Sequence, residues 1–240
     1  AMRKDGRRVP KKQFTDYRTT LCLSNPAVLE ISKRRALAWV ERQKDGPEKY
    51  FNITMGDAGG DGWCQCAACR RHDPRPGQYT TRYLELWANP IARAIAAKYP
   101  DKIVRIHSYT ATSNAPPKVR PAENIWVIFC SGFAGVPFWD HARARQDPRL
   151  AGIIRRLDEW RAISSGIVLQ EYTSGSYGPA LLEHLAAKTR FYAAKGLKGV
   201  YMTTGRPANF PGLWHYVYGN LLWDPEQDAQ KLARGYIRFH

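Results

Sequence analysis

Three thiols fall within six residues, Cys64-Gln65-Cys66-Ala67-Ala68-Cys69, while Cys22 and Cys130 stand far off in the chain. Five cysteines cannot all pair with one another inside one chain, and three crowded on one loop suit a metal clip better than a disulfide framework. Thiolates at this spacing are zinc chemistry; a fourth sulfur from Cys22 would complete a closed tetrahedral site, which is structural rather than catalytic. Three other arrangements fit the same spacing: His72 as the fourth ligand, a disulfide with one thiol left over, or unligated thiols. Cys130 lies in an apolar run and reads as a core cysteine.

Carboxylates offer a second chemistry. Asp57, in a glycine-rich stretch, and Glu171 each fall just past an apolar, β-rich run. Two carboxylates facing each other across a pocket are what acetal cleavage requires, one to protonate the leaving oxygen and one to attack or to activate water. These two form the candidate catalytic pair. Asp61, His107 and Asp140 are candidates for contacts to sugar hydroxyls, and Trp63, Tyr109, Trp139 and Tyr172 for stacking on sugar faces. Each residue also has a plainer reading: Asp57 as a turn cap, Glu171 paired with an arginine, the histidine as a structural hydrogen-bonding group, any one aromatic as core.

Elements must hold these residues in place. Ser24-Asn25-Pro26 supplies a capping residue and a proline at the first helical position, and Val28, Leu29, Ile31, Ala36, Leu37 and Val40 predict a helix over 26–43. Asp45-Gly46-Pro47 breaks it, and Tyr50–Met55 reads as a strand. After the loop 56–79, Thr80–Tyr99 reads as a helix that Pro90 should kink. Strands at Ile103–His107 and Ile125–Cys130 flank a loop, 110–124, without room for a full helix. A helix over Pro148–Ile163, a strand over Gly166–Gln170, a helix over Pro179–Lys195 and a strand over Gly199–Met202 follow. Helices over Gly212–Leu222 and Pro225–Phe239 close the chain.

Strands alternating with helices imply a parallel sheet. No phosphate-binding glycine motif follows any strand, and the aspartates within Gly56–Gly62 would repel a phosphate. The expectation is therefore an α/β fold, a parallel β/α (TIM-type) barrel that is incomplete and keeps its C-terminal five strands with their helices. It occupies 1–240 as one domain, with a basic, partly extended segment at 1–20. In such barrels the site is built at the C-terminal ends of the strands, where Asp57, His107, Glu171 and Thr203-Thr204 fall.

Composition bounds the partners. With 240 residues, 44% of them hydrophobic, the chain can bury a sizeable core and is unlike a disordered polymer. No apolar run approaches the roughly 18 residues of a membrane span. Residues 1–20 carry seven Lys/Arg and no apolar block, unlike a signal peptide. The excess of 37 Lys+Arg over 21 Asp+Glu, a formal +16, draws anions of several kinds: nucleic acid, acidic lipid or acidic polysaccharide. Nucleic acid is disfavoured, because the flanks of the cysteine loop match no familiar base-reading finger. Compartment and oligomeric state are not encoded in any motif.

Several segments carry a resemblance: Leu21-Cys22-Leu23-Ser24-Asn25-Pro26, Asp57 through the three-cysteine loop, the Pro116-Pro117-Lys118 turn, Glu171-Tyr172, and Leu221-Leu222-Trp223-Asp224-Pro225. In these the chain resembles, over most of its length, a bacterial family of glycoside-hydrolase-like proteins catalogued as domain of unknown function 4838. Members often carry an α-glucuronidase-like or hexosaminidase-like domain upstream. The resemblance implies the C-terminal part of a TIM-barrel glycosidase domain, a carbohydrate substrate, and Cys22 as the partner of the three-cysteine loop. Two departures stand out: the longer Asp57 loop with its additional Asp61, and Thr203-Thr204 where an acid is expected by analogy. The resulting expectation is a glycoside hydrolase using Asp57 and Glu171 on uronic-acid or amino-sugar glycans. Its competitors are a non-catalytic carbohydrate-binding homologue and a zinc-containing nucleic-acid-binding module.

Overall fold

The computed structural model describes residues 1–3, 5–9, 19–56, 58–59, 62–131, 146–173, 181–204 and 211–239. The chain forms two compact units, residues 1–129 with 158–166, and residues 130–157 with 167–240.

In the first unit, α1 (Pro26–Glu41) starts where Asn25 Oδ1 accepts the amide of Ala27, with Pro26 in the first turn, where a missing N–H costs nothing. β1 (Tyr50–Asn52) pairs in parallel with β2 (Ile103–Ser108), and β2 with β3 (Ile125–Cys130). Between β1 and β2 run α2 (Ala67–Arg70), α3 (Thr80–Tyr83), a π-helical turn (Leu84–Ala88) and α4 (Asn89–Lys98), which packs on α1. Pro90 therefore acts through a wide turn rather than a bare kink: lacking an N–H and crowding the carbonyl four residues back, it is preceded by π-type pairing that opens the helix there. Phe51, Val104, Ile106, Ile125, Val127 and Phe129 are buried from the strands, and Ile91 and Ile95 from α4. The loop 110–124 holds a single 3-10 turn, Thr110–Thr112, and no full helix was expected there.

The second unit contains most of α5 (Pro148–Arg161) and of β4 (Gly166–Thr173), then α6 (Leu181–Ala194), β5 (Gly199–Thr204), α7 (Pro211–Trp223) and α8 (Ala229–Phe239). β4 and β5 are parallel, with Leu169 opposite Val200 and Tyr172 opposite Thr203. The three last helices pack on one another around Leu185, Trp214, Val217, Tyr218 and Leu221. α8 starts later than the sequence suggests. Asp228 Oδ1 accepts the amides of Gln230 and Lys231, so the cap is Asp228 and Pro225 sits in the turn before it.

Five strands, parallel to their neighbours within each unit and flanked by helices, make this the expected α/β class. In the first unit the strands lie in chain order, without the reversal that marks a doubly wound sheet. β4 and β5 run past their expected ends, so Glu171 and Thr203-Thr204 lie inside strands rather than beyond them. Among the described residues no helix is long and apolar enough to cross a membrane.

Candidate metal centre

Cys22 lies just before α1, Cys64 and Cys66 on the loop into α2, and Cys69 in α2 itself. That helix has only four residues, too short for periodicity to reveal. Cys66 is its N-cap: Cys66 Sγ accepts the amide of Cys69 at 3.4 Å, setting these two sulfurs one turn apart. Thr20 docks the segment before Cys22 on the loop, its amide bonded to Gly62 O at 2.9 Å. The four ligand atoms of Cys22, Cys64, Cys66 and Cys69 all lie within 4.8 Å of one another, close enough to hold a metal ion. Cys22 Sγ stands 3.8 Å from both Cys66 Sγ and Cys69 Sγ. A tetrahedron with metal–sulfur bonds of about 2.3 Å has sulfur–sulfur edges of about 3.8 Å, so the residues fit a tetrathiolate site.

The alternatives left open by the sequence are narrowed by this geometry. Cys22, Cys64, Cys66 and Cys69 form no disulfide. His72 stands outside the group, its Nδ1 2.7 Å from Glu85 Oε2.

A buried cation fixes the loop. Arg82, 1% exposed, donates from Nη1 to Cys64 O at 2.7 Å. Its Nε lies 3.2 Å from Asp73 Oδ1, and its guanidinium sits over the rings of Tyr79 and Trp63. Burial pushes the Asp73 carboxyl up to about 6 against the pull of Arg82. Within the cluster, the hydrogen bond with Cys69, followed by burial, raises the Cys64 thiol, while the same bond holds Cys69 below the ordinary thiol range. Burial raises Cys22; on Cys66 it is outweighed by hydrogen bonds from the Ser24 hydroxyl and the Cys69 amide, which hold that thiol down. Two of the four sulfurs, Cys66 and Cys69, are thus held toward the thiolate and two, Cys22 and Cys64, toward the thiol.

Asp57, Asp61, Trp139 and Asp140 lie outside the described residues, as does the side chain of Tyr172. Trp63 is 3% exposed; it packs on Tyr79 and Tyr83 and donates Nε1–H to Ala58 O, which makes it core beneath the cysteine loop. His107 and Tyr109 are half-buried at the C-terminal end of β2, where Thr112 Oγ1 donates to both of their carbonyls.

Glu171, on β4 in the second unit, is 8% exposed. Its Oε2 accepts from Lys188 Nζ at 3.0 Å and from Tyr218 OH at 2.6 Å, and its Oε1 accepts from Tyr192 OH. These partners come from α6 and α7. Gln170, the preceding residue on the strand, bonds instead to Thr203 Oγ1 and accepts from the Cys130 thiol. Burial lowers the Lys188 ammonium even though Glu171 opposes it, and raises the Tyr192 phenol, with Glu171 adding to the rise. The spacing of Lys188 and Tyr192, i and i+4 on an otherwise apolar helix face, was the signal available for these partners.

The sequence matches the family described as Domain of unknown function (DUF4838) over residues 1–240. Comparison with curated proteins and with solved structures finds no match.

Proposed function

Because the chain belongs to the DUF4838 family, we propose that it forms part of a TIM-type β/α barrel acting on carbohydrate, with a structural zinc ion on Cys22, Cys64, Cys66 and Cys69. The observation that carries the zinc assignment is the 3.8 Å spacing of Cys22 Sγ from two other sulfurs. Four protein ligands close the coordination shell, so the ion would supply cross-linking and folding free energy rather than a catalytic water. Its effect falls on the approach to α1 and on the loop into α2.

The reaction we favour is hydrolysis of a glycosidic bond, with Asp57 and Glu171 as the two carboxylates and uronic-acid or amino-sugar glycans as the substrate class. Parallel strands flanked by helices support it, and so does the +16 balance, which favours an anionic glycan. Glu171 is held by three hydrogen bonds, from Lys188, Tyr192 and Tyr218. These three bonds favour a second reading, a non-catalytic carbohydrate-binding homologue in which Glu171 anchors α6 and α7.

Metal analysis tests the clip: one zinc per chain, lost in Cys22→Ser, is expected, and folded protein without metal overturns it. Asp57→Asn and Glu171→Gln assayed on aryl glycosides test the reaction. Loss of turnover in both supports hydrolysis, and unchanged turnover removes the pair. Glycan binding with no product release even by the unsubstituted chain selects the second reading.

A further inference from the structure

We propose that the Ser24 hydroxyl caps the sulfur face formed by Cys22, Cys66 and Cys69 and donates a hydrogen bond to their thiolates, tightening the grip on the metal. This rests on the tetrathiolate reading above.

Ser24-Asn25-Pro26 offers two side chains able to cap α1, and the structure uses Asn25. Its Oδ1 takes the amide of Ala27 at 3.0 Å, and its carbonyl takes that of Val28 at 3.0 Å. Ser24 is thereby released from the helix, one residue ahead of the cap. Its Oγ stands 3.4 Å from Cys22 Sγ, 3.5 Å from Cys66 Sγ and 3.3 Å from Cys69 Sγ. Three nearly equal distances place the oxygen over one face of the sulfur group rather than beside one sulfur.

The chemistry follows from proton bookkeeping. In the thiol form Cys69 Sγ–H donates to Ser24 Oγ. A divalent ion displaces the thiol protons, after which the sulfurs only accept, and the hydroxyl rotor turns its own proton toward them. Four thiolates around a divalent ion carry a net double negative charge, and donors to sulfur spread it. Backbone amides already serve two of the four, Met2 N–H to Cys64 Sγ at 3.3 Å and Cys69 N–H to Cys66 Sγ at 3.4 Å. The Ser24 hydroxyl, with its single proton, brings a donor to one or other of Cys22 and Cys69, the two sulfurs those amides do not serve. The N-terminus of α1, with its positive dipole end, lies next to it in the chain. Outer donors of this kind orient ligands and change metal affinity about 10–100-fold on removal.

Cobalt(II) titration of the full chain, with Ser24→Ala and Ser24→Thr as variants, reads the role directly. The unsubstituted chain should bind one cobalt with the visible bands of a tetrahedral tetrathiolate. Ser24→Ala should move the sulfur-to-cobalt charge-transfer band to lower energy and weaken cobalt and zinc binding at least about 10-fold, in competition with a chelator. Ser24→Thr, which keeps the hydroxyl, should restore both. An Ala variant with unchanged band position and affinity overturns the Ser24 assignment while leaving the clip intact. A chain that binds no cobalt, or binds it without thiolate bands, overturns the clip itself and Ser24's role with it.

Discussion

Lys188→Met asks whether Glu171 anchors the second unit. Lys188 Nζ lies 3.0 Å from Glu171 Oε2, with the two side chains 10% and 9% exposed, and 4.2 Å from the centre of the Tyr218 ring. Methionine keeps most of the stem and deletes the charge, leaving a buried carboxylate with only phenol donors. Removing one partner of a buried ion pair costs roughly 3–5 kcal/mol, much of it from the uncompensated charge left behind. Tyr218→Phe removes one hydrogen bond to a charged group and should cost less, roughly 1.5–3 kcal/mol. Replacing both ions, in Lys188→Met with Glu171→Leu, should bring stability back to within about 1–2 kcal/mol of the starting protein, since well-packed apolar residues often substitute for a buried pair at little cost. Urea unfolding of the starting protein, Lys188→Met, Glu171→Leu and the double variant gives the cycle, and hydrogen exchange of the β4 and α6 amides localises the effect. If the two single effects add to within about 0.5 kcal/mol of the double, the groups are not coupled and the anchoring argument fails.

Three further outcomes follow from local geometry. A Cβ on Gly166 would lie 2.7 Å from three atoms of the Trp126 indole, a rigid group. Gly166→Ala should therefore cost roughly 1–3 kcal/mol in thermal unfolding, and an unchanged melting temperature would show that the ring yields freely. Asn89 Oδ1 accepts the Ala122 amide at 2.8 Å and its Nδ2 donates to Arg120 O at 2.9 Å. Asn89→Ala should cost roughly 1–3 kcal/mol or more and speed exchange of the Ala122 amide; unaltered protection there would show that this loop is held by other bonds. Asp73, raised in the fold to about 6 from 3.8, favours folding fully below about pH 4, and that contribution is lost as pH rises through about 6. The difference corresponds to about 3 kcal/mol at most. Stability of the unsubstituted chain should thus fall relative to Asp73→Asn between those pH values; parallel curves would remove Asp73 as the cause.

Where the fold was legible, a local signal and a tertiary need agreed. Asn25-Pro26 marks the start of α1 because capping is decided within four residues, and Ile125–Cys130 reads as a strand because a parallel sheet buried on both faces needs an unbroken apolar run. The miss at α8 is also local, since a proline before a helix looks the same whether it occupies the first turn or the turn preceding an Asp228 cap. The π turn before Pro90 was not legible: proline predicts disruption, while the form it takes depends on neighbours such as the Asn89 bonds to the loop 110–124.

The two candidate sites differ for a physical reason. Cys64, Cys66 and Cys69 lie within six residues, so their types and spacing already imply convergence, and only the docking of Thr20 on Gly62 was needed to bring in Cys22. Glu171 is the opposite case. An acid after the apolar run Ile167–Leu169 looks like a strand end, because a buried strand is expected to be apolar throughout. In the structure the ladder continues through Tyr172 opposite Thr203, and the charge is tolerated because Lys188, Tyr192 and Tyr218 meet it from helices 17, 21 and 47 residues away. A strand stops where its ladder stops, not where its polarity changes. A charged acid inside a parallel strand is therefore tolerated through the partners that the rest of the chain brings to it, and sequence spacing around the acid itself carries no information about them.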